Sequence, residues 1–175
     1  MKAIMVYFAR CNSLVKSAMY DILSKNFLDP FDLKLQGYYF KKLSELLNHM
    51  FVADMIWMKA FTDIDACGKD LLGKLKSIPS YGDSVFTDYV EFLVSRKTLD
   101  AFIEAYMQFL PVDIFTKPLS RTTKSGERIE KIVYQAMIHF FNHQTHHRGQ
   151  ISNILDDLQV ENNYSNLIYL DLPND

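Results

Sequence analysis

His139-Phe140-Phe141-Asn142-His143-Gln144-Thr145-His146-His147-Arg148-Gly149-Gln150 holds four of the chain's five histidines. His139, His143 and His147 fall at i, i+4 and i+8, so on an α-helix their side chains stack along one face. The same face continues through Ile132, Ala136, Phe140, Ile151, Leu155 and Leu158. The histidines therefore interrupt a core stripe, within a helix expected from about Glu130 to Leu158. Two imidazoles one turn apart can share a metal ion. The fifth histidine, His49, lies far upstream in another helical pattern.

Three further helices are expected. The first runs from about Lys2 to Asn26, with a stripe of Ile4, Phe8, Cys11, Val15, Ala18 and Ile22, and Asp29-Pro30 ends it. The second runs from about Gly37 to Phe61 on Leu43, Leu46, Met50, Ala53, Trp57 and Ala60, with His49 beside that stripe. Thr62 to Gly82 reads as a long connector. The third runs from about Asp83 to Leu110, capped by Asp83 or Ser84 and stopped by Pro111. Its face is Val85, Tyr89, Phe92, Leu99, Ile103, Tyr106 and Leu110. Periodicity changes between Asp113 and Arg128, where Thr123-Lys124-Ser125-Gly126 suits either a short β-hairpin or an irregular loop. The tail from Asn162 to Asp175 is expected to pack across the helices without regular structure. Four amphipathic helices with little strand signal predict an all-α, four-helix bundle. Two connectors are long enough to cross it, so simple up-down connectivity is not implied.

The bulk numbers narrow the function. A chain of 175 residues suits one domain, residues 1–175. Hydrophobic residues make up 49% and aromatics 14%, enough for a sizeable core and against disorder. A formal net charge of −2 lacks the basic excess of a nucleic-acid-binding surface. Cys11 and Cys67 are too far apart for a CxxC site and fit reduced thiols in the cytoplasm. The apolar run Ala3 to Ala9 is too short to span a bilayer, and neither a targeting segment nor a membrane partner is expected.

A single histidine on an apolar face is usually a hydrogen-bonded core residue. Two at i, i+4 are harder to explain so, because each buried imidazole needs partners for two nitrogens. There is no His-Glu-x-x-His and no Glu-x-x-His, which removes the metalloprotease helix and the ferritin-like di-iron site. An all-imidazole mononuclear site remains, with His49 as the economical third ligand to His143 and His147. Three ligands within nine residues of one helix would span about 12 Å, so His139 is expected to support or line the site. His146 points about 100° away from His147 and is expected near the surface.

Asn142-His143-Gln144-Thr145-His146-His147-Arg148-Gly149-Gln150 resembles the signature of the DinB family of metal-dependent enzymes. Leu47-Asn48-His49-Met50-Phe51-Val52-Ala53-Asp54-Met55-Ile56-Trp57 is similar to that family's second-helix motif, a histidine followed by Asp-x-x-Trp. The resemblance implies a divalent metal, zinc or nickel, on His49, His143 and His147. The family's first helix often carries Tyr-Asn-x-x-Ala-Asn. Here Asn12 is followed by Val15-Lys16, a departure expected to alter the pocket opposite the metal. Arg148, Gln150, Asn142, Asp54, Trp57, Asn12 and His139 are expected to support the site or line its pocket.

Three neutral imidazoles leave a metal its full charge and an open position, the style of a catalytic site. The resemblance implies thiol S-transferase chemistry, in which the metal binds a low-molecular-weight thiol as its thiolate and an electrophile is the second substrate. No side chain stands out as a separate general base. The alternatives are a metal-binding or ligand-binding protein without turnover, and a hydrolase acting through metal-activated water. The aromatic-rich composition and the family's habit point to a homodimer.

Overall fold

The computed structural model describes residues 1–64, 79–80, 82–123 and 125–169. Most of the Thr62–Gly82 connector, Cys67, and the tail from 170 lie outside the described residues. Four long α-helices form a bundle: α1 (Lys2–Asn26), α2 (Leu43–Thr62), α3 (Tyr89–Phe109) and α4 (Val133–Asp157). A two-stranded antiparallel hairpin, β1 (Pro118–Thr122) and β2 (Arg128–Ile132), precedes α4. No described helix is long and apolar enough to cross a membrane.

Pairs of side chains give the helix directions. Lys16 meets Asp100 while Tyr20 packs on Phe92, so α1 and α3 are antiparallel. Phe51 packs near Phe92 and Asp54 meets Arg96, so α2 and α3 run the same way. His49 meets His147 and Phe61 meets Phe140, so α2 and α4 are antiparallel. The order is up, down, down, up, and the α2–α3 connection is the crossover that the long connector allows.

Element starts differ from the expected ones for local reasons. Gly37 adopts φ +83°, which an α-helix does not accept. The chain from Leu33 to Leu43 is instead a clipped turn, with Lys34 bridged to Lys42 and Leu43 N–H donating to Leu33 O at 3.0 Å. Helix α2 therefore starts six residues later than Gly37. Helix α3 starts at Tyr89 rather than Asp83. Asn48 Oδ1 accepts the N–H groups of Val85 and Phe86, both at 2.8 Å, and holds that segment out of helix. Asp88 is the cap, accepting from Glu91 N–H at 2.7 Å. Glu130 to Ile132 pair with Ser120 to Pro118, so they belong to β2 and α4 begins at Val133. The tail contains one short 3-10 turn, Leu167–Tyr169, where no regular structure was expected.

The buried face of α1 is rotated by one residue from the expected stripe. Met5, Ala9, Asn12, Lys16, Met19 and Leu23 face inward, whereas Ile4 is 55% and Phe8 38% exposed. Two polar residues, Asn12 and Lys16, occupy core positions, and a reading by hydrophobicity moves away from them. In α4, Val133 replaces the exposed Ile132 as the first core residue.

Candidate metal centre

The candidate site lies between the start of α2 and the middle of α4. His49 Nε2 is 3.1 Å from His147 Nε2, and His143 Nε2 is also 3.1 Å from His147 Nε2. One ring nitrogen from each of the three lies within 4.8 Å of the others. Tetrahedral bonds of about 2.0–2.1 Å would place two imidazole nitrogens roughly 3.3 Å apart. His147 Nδ1 lies 2.7 Å from Gln150 Oε1. A carbonyl oxygen only accepts, so Nδ1 carries the hydrogen and Nε2 presents a bare lone pair. That lone pair cannot take a full hydrogen bond from both neighbours, whereas one cation satisfies all three nitrogens. The donor set therefore fits a divalent metal ion.

Electrostatics keep the rings neutral. Burial lowers the pKa of His49, and His147 adds to the effect. Burial, then His147 and His49, push His143 down to about 3. His147 is lowered by burial although its bond to Gln150 acts against the shift. Neutral imidazole is the form that binds metal. Phe40, carried by the clipped turn before α2, packs against His49 and His147 with ring centroids 5.2 and 6.2 Å away. On the other side of Phe40 opens a cavity of about 440 Å³, lined by Tyr39, Glu45, Asn48, His49 and the Gly82–Ser84 turn.

The remaining expected site residues fall into separate groups. Gln150 touches His147 directly. His139 is exposed, with its ring 6.2 Å from His143 and 5.3 Å from Trp57. Trp57, the only tryptophan, also carries the Arg121 guanidinium 4.4 Å above its ring. Arg148 is buried and reaches toward α1, donating to Asn12 Oδ1 and, at 3.0 Å, to Thr145 Oγ1. Its carbonyl accepts from Tyr164 at 2.7 Å, which anchors the segment after α4. Asn142 and His146 are exposed. Asp54 bonds to none of the histidines. It joins Lys16, Arg96, Asp100 and Gln144 in a buried polar group at the bundle centre.

Sequence reasoning missed Phe40 and the bundle-centre group. Phe40 had no signal, because it reaches the site through a turn placed inside the expected α2. Arg96 and Asp100 did leave one: they sit four residues apart and fill the gap between Phe92 and Leu99 in the α3 stripe.

Comparison with known proteins follows the same geography. The DinB family model matches residues 7–166. Protein DinB of Bacillus subtilis (strain 168) is 27% identical over 120 residues, which cover 66% of this chain and 64% of that protein. The chain thus spans less than two thirds of that curated relative. No solved structure gives a match. The family match begins on α1, ends beyond α4 and takes in all three converging histidines, and so the chain belongs to the DinB family.

Proposed function

We propose that this protein is a metal-dependent enzyme whose divalent ion, zinc or nickel, is held by His49, His143 and His147, and that its reaction is a thiol S-transfer. The observation that carries the reading is the convergence of three Nε2 atoms, with Gln150 fixing the tautomer of the central ring. An ion held there would supply a positive charge that favours the thiolate of a low-molecular-weight thiol at neutral pH. The chain contributes the rest. Phe40 shields His49 and His147 from water on one side, and the cavity beside His49 has room for a small thiol and an electrophile. The reducing cytoplasm, where such thiols stay reduced, is the compartment that suits this chemistry.

Protein purified without a polyhistidine tag is expected to carry up to one divalent ion per chain by elemental analysis. Given a panel of low-molecular-weight thiols and a chlorinated arene, it should form the thioether as the sulfur–carbon bond replaces carbon–chlorine and chloride departs. Chelator should stop the reaction. A chain without metal would overturn the reading. Metal without turnover would assign a binding protein instead, and release of acid from ester substrates would assign a hydrolase.

The functional unit is proposed to be a homodimer. Ile4, Tyr7 and Phe8 on α1 and Ile138 on α4 are exposed apolar side chains that a second copy would cover. Light scattering at micromolar concentrations should return twice the chain mass of 20.4 kDa. The monomer mass across that range would refute the dimer.

A further inference from the structure

We propose that Lys16 and Gln144 are positioning residues that set the spacing between His49 on α2 and the His143–His147 pair on α4; this inference rests on reading those histidines as the metal site. The site itself offers only ring-to-ring contacts between α2 and α4. The nearest hydrogen bond joining the two helices is Gln144 Nε2 to Asp54 Oδ1 at 3.0 Å. Gln144 follows His143 directly and precedes His147 by three residues, about 4.5 Å along the helix. A shift at Gln144 therefore moves both α4 ligands together.

Lys16 fixes the other end of that amide. Its ammonium donates to Gln144 Oε1 at 3.3 Å, donates to Asp100 Oδ1, and lies 3.7 Å from Asp54 Oδ2. Gln144 thus has its NH2 on a carboxylate and its oxygen on an ammonium, and a flipped amide would lose both partners. Arg96 completes the group, donating to Asp54 Oδ2 at 2.7 Å and to both oxygens of Asp100 at 2.7 and 3.1 Å. Every helix contributes, two cations balance two carboxylates, and no member is more than 7% exposed. Solvent cannot replace a lost contact there. The surrounding packing is apolar and rich in methionine, with Met19, Met50, Met55, Met58 and Met107 all buried. Such side chains adapt to small slides between helices. The directional bonds of the polar group do not, and a metal site needs its ligands within about 0.5 Å of their productive places.

The test uses the full chain and cobalt(II) as the probe. Gln144→Met keeps the charge count unchanged and removes only the tie. Lys16→Met removes the same tie from the α1 side and also unbalances the group. Both variants are expected to bind cobalt(II) about 10–100-fold more weakly by calorimetry, with an altered ligand-field absorption spectrum. A Gln144→Met protein with lowered melting temperature but the parent's affinity and spectrum would show a role in stability alone and overturn the proposal. A parent that binds no cobalt(II) would overturn the metal-site reading instead. Crystal structures of the parent and of Gln144→Met then decide the positioning separately: a widened His49–His147 separation supports it, and an unchanged one overturns it.

Discussion

Replacing His147 by alanine is expected to abolish metal binding, whereas replacing His139 by alanine should leave it in place. His147 is the hub of the site. Its Nε2 lies 3.1 Å from both other ring nitrogens, and Gln150 holds the ring by its opposite edge. Its removal deletes one full metal–nitrogen bond and leaves His49 and His143 without the ring that joins them. His139 shares the helix face but sits one turn beyond His143, exposed and against Trp57. Its loss should change zinc affinity by no more than about 10–100-fold, the range of groups outside the metal's immediate ligands. Zinc or nickel titrated into chelator-stripped protein by calorimetry reads both variants. His49→Ala and His143→Ala should behave like His147→Ala. Binding by His147→Ala with none by His139→Ala would place the pair at His139 and His143 and overturn the assignment. Acid should compete only late. The apo imidazoles have pKa values below the usual range, His143 at about 3, so protons take the nitrogens only well below neutral pH. Affinity should therefore stay nearly level from pH 8 to about 6.5, the ordinary imidazole value, and fall on further acidification.

The fold was legible wherever hydrophobicity alone decides. Helix α1 matches its expected bounds, Lys2 to Asn26, because no side chain competes for its backbone. The starts of α2, α3 and α4 were not legible. Each is set by a partner distant in sequence or by a backbone state that periodicity does not register: Gly37 with its positive φ, Asn48 reaching Val85 and Phe86, and β1 pairing with β2. The converging histidines were legible because i, i+4 spacing is a local geometric fact and His49 was the one histidine left over. Lys16 was read only as a departure from a family pattern. Its four-sided setting of Asp54, Arg96, Asp100 and Gln144 exists only after the helices assemble. Buried charges are the residues that a pattern of apolar stripes assigns to the wrong side.

Those charges also carry the largest expected change in stability. Arg96→Met should cost about 3–5 kcal/mol, the usual cost of breaking a buried ion pair from one side. Arg96 is 1% exposed and supplies three hydrogen bonds to two carboxylates. Burial by itself would lower its pKa, but Asp100 and then Asp54 hold it above the ordinary value. Methionine fills much of the volume and retains contact with Phe51, over which the guanidinium now lies at 5.6 Å. The cost therefore comes from the stranded charges rather than from a cavity. Asp54 and Asp100 would face Lys16 alone, leaving one net negative charge in the bundle centre. Burial already pushes the Lys16 ammonium below its ordinary pKa, so it is a poor substitute for the guanidinium. For a chain of this size the loss corresponds to roughly 6–20 °C in melting temperature. Urea denaturation of Arg96→Met measures it. The quadruple variant Lys16→Met, Asp54→Leu, Arg96→Met, Asp100→Leu should recover much of the loss, because an apolar replacement leaves no charge stranded. A single variant within about 1 kcal/mol of the parent would mean that the carboxylates find water or protons after Arg96 is gone. The bundle centre would then be far less closed than its burial indicates.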